Sequence, residues 1–208
     1  MRTAILTSAF DSGFPDAFIL ELKKYLAPTN RFAFVASDFS VHAVTQRYAD
    51  QFVAWFAARG IVFESSTVVD DALSLEAADN AIRAAGIVWL SGGPTLKQIA
   101  DIRLCHLLPA LRERDGVTIG MSAGSINMAR RVVVARDPDD DIPELSIYEG
   151  IGLTGLNIEP HINAANNAHL ADVAAAGKVS PIIGLPDGSF IVDRGGEYRI
   201  FGPHRVFR

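Results

Sequence analysis

Short apolar runs alternate along the chain with longer stretches in which apolar residues recur at helical spacing. Runs at 4–7, 31–36, 61–69, 87–90 and 117–119 are β-branched or aromatic and almost uninterrupted, which predicts buried strands. Between them, Val44, Tyr48, Phe52, Trp55 and Phe56 predict a helix over 41–59 that Gly60 stops. Leu75, Ala78 and Ile82 predict another, capped by Ser74 and running to 85, and a further helix is expected over 96–114. A first helix is expected over 17–26, with Asp16 as its N-cap and Pro28 closing it. Strands buried on both sides and joined by helices mean a parallel sheet covered on both faces, so the expected fold is α/β, three-layered and doubly wound. Beyond 129 the alternation weakens. A short strand at 132–135, a helix at 167–176 and closing strands at 181–185, 189–192 and 197–201 are expected. The last two are joined by an Arg194-Gly195-Gly196 turn, which gives antiparallel strands near the C-terminus. No linker or repeat divides residues 1–208, so one domain is expected.

Composition narrows the function. The net charge of −5 lacks the basic patch that a nucleic-acid partner wants, and no apolar run approaches the roughly 18 residues of a membrane span. The N-terminal residues read as a strand and not as a signal peptide, and the single cysteine, Cys105, fits a reducing compartment. A cytoplasmic protein is the expectation, as monomer or homodimer.

The chemistry concentrates at Gly120-Met121-Ser122-Ala123-Gly124. Between an apolar strand and a helix, Gly-x-Ser-x-Gly reads as a nucleophile elbow: a sharp turn lifts the Ser122 hydroxyl above the strand end, and the Ala123 N–H is placed to stabilise an oxyanion. A second glycine turn, Gly92-Gly93, follows the strand at 87–90, and the two turns are expected to share one crevice off the carboxyl ends of the strands. A serine nucleophile needs a base. His42 and His106 lie in expected helices, His204 in a turn and His169 at a helix start, whereas His161 sits in a stiff polar turn after Pro160 and is the preferred candidate. Candidate acids crowd the loop at Asp137, Asp139, Asp140, Asp141 and Glu144. No EF-hand spacing, His pair or Cys cluster offers a metal site, and Gly92-Gly93 lacks both nucleotide-binding glycine patterns, so neither metal nor cofactor is expected.

Four segments together resemble the peptidase E family of aspartyl dipeptidases, the S51 serine peptidases: Val88 to Thr95, Ile119 to Ser125, Glu159-Pro160-His161, and Gly184-Leu185-Pro186-Asp187-Gly188. The resemblance implies a fold like the class I glutamine amidotransferases, Ser122 as nucleophile and His161 as base. Asp137 falls at the family's acidic position, with Asp139 or Asp140 as replacements. Gly93 and Ala123 would form the oxyanion hole, with no metal or cofactor. The implied substrate is a short peptide with N-terminal aspartate. Arg131 and Arg136, with Gly92 and Glu159, are candidates to bind it, and Arg130 and Lys97 are further cations within reach. Pro94 departs from the family's usual Asn and removes a backbone donor beside the hole. Two rivals are an α/β-hydrolase esterase, which shares the elbow but wants an HGGG-type turn absent here, and a non-catalytic small-molecule-binding module of the same fold.

Overall fold

The computed structural model describes residues 2–26, 29–140 and 142–208. In chain order the elements are β1 (Arg2–Thr7), α1 (Asp16–Leu22), β2 (Arg31–Val35), α2 (His42–Ala58), β3 (Ser65–Val69), α3 (Leu75–Ala84) and β4 (Ile87–Leu90). There follow α4 (Thr95–Leu104), α5 (Leu108–Glu113), β5 (Gly116–Met121), α6 (Ala123–Asn127), β6 (Arg131–Val134), β7 (Ser146–Glu149) and β8 (Asn157–Glu159). The chain closes with α7 (Asn167–Gly177), β9 (Ile182–Gly184), β10 (Phe190–Arg194), β11 (Glu197–Phe201) and β12 (Arg205–Phe207).

A seven-stranded sheet in the order β11-β10-β1-β5-β4-β2-β3 forms the middle layer. Its β1, β5, β4, β2 and β3 run parallel, while β10 and β11 are antiparallel at one edge. The α/β architecture read from the alternating apolar runs is therefore present, with β5 in the centre. Successive strand residues point to opposite faces. Leu6, Val88 and Leu90 meet Ile82, Ile102, Leu111 and Ile126 of α3 to α6 on one side. On the other, Ile5, Phe34, Trp89 and Ile119 meet Phe18 of α1 and Phe52 and Phe56 of α2. Two smaller sheets, β12-β9-β8 and β6-β7, lie outside this layer.

Several boundaries differ from expectation for local reasons. The helix expected over 96–114 is two helices, because Pro109 at the start of α5 cannot continue a preceding helix and His106 adopts φ 55° at the break. The strand expected over 61–69 pairs only from Ser65. Pro15, not Asp16, caps α1 without a side-chain bond, and Asp16 instead pairs with Arg59. Pro28 lies outside the described residues.

Buried polar side chains fix the ends of the central strands. The Gln98 amide donates to Ala36 O at 3.3 Å and Ser91 O at 2.9 Å, and Asn127 Nδ2 donates to Thr95 O at 2.9 Å, so the turn after β4 is held from below. At the opposite end of the sheet the buried Arg114 guanidinium donates to Ile82 O, Val117 O, Ala85 O and Thr118 Oγ1. Burial pushes its pKa down to about 10.

Candidate active site

β5 delivers Ser122 to the carboxyl edge of the sheet centre. Ser122 has φ 50° and ψ −113°, a conformation costly for a residue with a side chain and characteristic of strained functional turns. Its neighbours explain how the strain is held. A Cβ on Gly120 would lie 2.6 Å from Ser125 N, and one on Gly124 would lie 2.2 Å from Leu90 O, so both glycines are sterically required where α6 crosses β5 and β4. The Ser122 N–H donates to Thr7 O and Ser8 O at 3.1 Å each, and the Ser125 hydroxyl accepts from the Thr7 N–H at 2.8 Å and donates to Gly120 O at 2.6 Å. The elbow is thus bolted to the end of β1.

His161 follows β8 directly, again with a positive φ of 55°. Its Nε2 lies 3.0 Å from Ser122 Oγ, and its Nδ1 lies 2.8 Å from Asp187 Oδ1. Asp187 follows β9, the parallel neighbour of β8, in the turn that Gly188 completes at φ 84°. Ser8 ties these pieces together: its hydroxyl donates to Asp187 Oδ1 at 2.7 Å and accepts from the His161 N–H at 2.8 Å. Serine, imidazole and carboxylate form one continuous relay of hydrogen bonds.

Gly93 sits beside Ser122 with φ 136°, and a Cβ there would lie 2.2 Å from Ser37 Oγ, so only glycine fits. Among the described residues, the N–H groups of Gly93 and Ala123 donate to no protein acceptor. A cavity of about 440 Å³ opens at this point, reaching from Gly93 and Ser122 past His161 to Asp137, Glu159 and His169. Gly93 also borders a second, more apolar groove that contains Tyr48, Val44 and Met121.

The acid expected at Asp137 is displaced. Asp187 occupies the place at Nδ1, and Asp137 lies in a separate group with Glu159 and His169, whose ligand atoms fall within 4.8 Å of one another. The chain enters this group through its own turn, where the Asp137 N–H donates to Ile142 O. Of the replacements considered, Asp140 accepts from Thr95 Oγ1, while Asp141 and the Asp139 side chain lie outside the described residues. The arginines are also misplaced. Arg136 is exposed and faces Asp172 at 3.5 Å, and Arg131 is exposed on β6; neither lines the cavity. Arg130 borders a different cavity at the far end of β1, and Lys97 is paired with Asp101 and Asp38. Gly92 faces the apolar groove. Glu159, by contrast, does line the cavity, buried to 3% exposure. Burial drives its pKa up, and its contact with His169, at 3.4 Å, drives the imidazole's pKa up in turn.

A family model described as Peptidase family S51 matches residues 16–201. The chain belongs to peptidase family S51. As an S51 member it is a serine peptidase, and Gly-x-Ser-x-Gly, Glu-Pro-His and Gly-Leu-Pro-Asp-Gly all fall inside the matched segment. Solved structures agree with the S51 fold. A peptidase from an acI-B1 Actinobacterium superposes with a TM-score of 0.70 at 15% identity, covering 100% of this chain and 94% of that one. A putative peptidase E protein from Listeria monocytogenes EGD-e gives 0.70 at 19% identity, covering 97% of this chain and 98% of that one. At these identities the likeness is one of fold. No curated protein matches this S51 peptidase.

Proposed function

We propose that this S51 peptidase hydrolyses short peptides through an acyl-enzyme on Ser122. The observation that carries the reading is the hydrogen-bonded series Ser122 Oγ, His161 Nε2, His161 Nδ1, Asp187 Oδ1, at 3.0 and 2.8 Å. In the first half-reaction Ser122 Oγ attacks the peptide carbonyl carbon while its proton passes to His161 Nε2. The tetrahedral oxyanion takes the N–H groups of Ala123 and Gly93. His161 then gives the proton to the leaving nitrogen, the C–N bond breaks, and the acyl group remains on Ser122 as an ester. Water, deprotonated by the same imidazole, cleaves that ester and restores Ser122. Asp187 holds the ring so that Nε2 faces the serine.

A cavity of about 440 Å³ suits a short peptide and not a folded chain. Among the described residues no lysine or arginine lines the cavity to meet the carboxylate of the N-terminal aspartate that the family resemblance implies, so the proposal is for short peptides without that side-chain requirement. Among the described residues no helix is long and apolar enough to cross a membrane. A cytoplasmic protein that acts alone or as a homodimer on peptide fragments completes the reading.

The test is Ser122→Ala measured with a dipeptide panel, together with mass spectrometry after treatment with a fluorophosphonate. Turnover is expected to fall on the order of 10⁴-fold, with wild-type protein carrying the phosphonyl adduct on Ser122. Near-normal turnover by the Ala variant would end the proposal.

A further inference from the structure

The cavity beside Ser122 carries a charge pattern that acyl transfer does not use. Among the described residues its charged lining groups are Asp137, Asp140, Glu159, His161 and His169, with no lysine or arginine. Acidic side chains outnumber imidazoles there by three to two. Asp140 accepts from Thr95 Oγ1, and Asp137, Glu159 and His169 line the cavity together, with ligand atoms that all lie within 4.8 Å of one another.

Glu159 is the unusual member. It is 3% exposed, and among the described residues its Oε2 has no hydrogen-bond partner, while His169 Nε2 stands 3.4 Å from the other oxygen. A buried carboxylate oxygen without a donor is costly, and proteins keep such atoms where a ligand completes them. The backbone leaves little freedom to escape that cost. Glu159 ends β8, paired in register with Gly184, and Glu159 O accepts from the Leu185 N–H. Pro160 and the strained His161 follow immediately, so moving Glu159 would move the imidazole that meets Ser122. The site already attracts one cation, since Glu159 makes His169 take up a proton more readily than free imidazole.

We propose that Asp137, Glu159 and His169 form the recognition site for a cationic group of the peptide, an ammonium or guanidinium placed next to the bond that Ser122 opens. This reverses the acidic preference implied by the family resemblance, and it rests on the acyl-enzyme reading given above. Two sources supply such a group: the free α-ammonium of an exopeptidase substrate, or the side chain of lysine or arginine.

The experiment uses purified full-length protein with Lys-Leu, Arg-Leu, Leu-Leu and Asp-Leu dipeptides, each free and Nα-acetylated, with fluorophosphonate labelling of Ser122 read in parallel. A side-chain source gives at least roughly tenfold higher kcat/KM for Lys or Arg than for Leu. An α-ammonium source gives at least roughly tenfold loss on acetylation of Leu-Leu. In either case Glu159→Gln, and independently Asp137→Asn, bring the affected ratio close to one by raising KM for the cationic member. Preference for Asp-Leu, or equal turnover of all eight peptides by protein that labels normally, overturns the proposal while leaving the acyl-enzyme intact. A preference abolished by EDTA and restored by Zn²⁺ assigns the group to a metal and overturns it as well. Absence of labelling on wild-type Ser122 overturns both readings.

Discussion

Ser8 is the residue on which the site hangs. Its carbonyl accepts from the Ser122 N–H, its hydroxyl donates to Asp187, and the same hydroxyl accepts from the His161 N–H. Ser8→Ala removes the last two bonds and leaves the first. Because these bonds orient the relay without touching substrate, kcat is expected to fall about tenfold or more, a loss of roughly 1.4 kcal/mol, with KM unchanged. A rise in KM at constant kcat would show that Ser8 serves binding. Nothing in the sequence marks Ser8, since the residues that it joins lie far along the chain. The elbow is different: its glycines, strand and helix are contiguous, and each is needed by contacts within a few residues or with the adjoining strand. Gly124→Ala drives a methyl into Leu90 O and is expected to cost about 3 kcal/mol, read from the urea midpoint. A midpoint within experimental error of wild type would mean that α6 yields easily. Asp187 lies between these cases. Its Pro-Asp-Gly turn was visible in the sequence, but its role follows from β9 lying beside β8, a pairing that local pattern does not encode.

At the level of elements, the small sheet β12-β9-β8 is what separates the two acidic groups. Parallel β8 and β9 bring His161 and Asp187 to neighbouring strand ends, while Glu159, one residue inside β8 from Pro160, is left against His169 at the start of α7. Both members of that pair have pKa values raised above their ordinary ones. A raised value means that the folded protein holds the proton more tightly than the unfolded chain. The stabilisation is therefore present below the unfolded values and is lost as pH rises through the folded ones. The melting-temperature advantage of wild type over Glu159→Gln/His169→Gln is expected to shrink steadily from about pH 5 to about pH 8. A constant or growing advantage would mean that the pair does not titrate in that window. The apolar pattern exposes the parallel core because its central strands are buried on both faces, β4 throughout its four residues and β2 in four of five. Strands without a buried apolar run carry a weaker signal: β7 buries none of its four residues and β12 one of its three, whereas the equally short β4 is buried throughout. The α4/α5 break was readable from Pro109, which the apolar spacing of 96–114 masked.

The whole molecule closes its sheet with strands from both ends of the chain. β1 lies between β5 and β10, so the N-terminal strand cannot complete its ladder until residues near 190 arrive. Long-range pairing of this kind is slow to form, and an unpaired β1 edge is open to association. A chain ending at residue 186 lacks β10, β11 and Asp187; it is expected to react with a fluorophosphonate on the order of 10³-fold more slowly than the full chain and to precipitate on concentration. Labelling at the wild-type rate would show that the site assembles without the C-terminal strands. The bond between Ser8 and Asp187, 179 residues apart in sequence, then has a meaning for biosynthesis. While the ribosome is still reading the codons that precede Asp187, the proposed relay lacks its carboxylate, and the nascent chain is expected to be inactive toward the peptides around it. Latency during synthesis is supplied by the strand order itself.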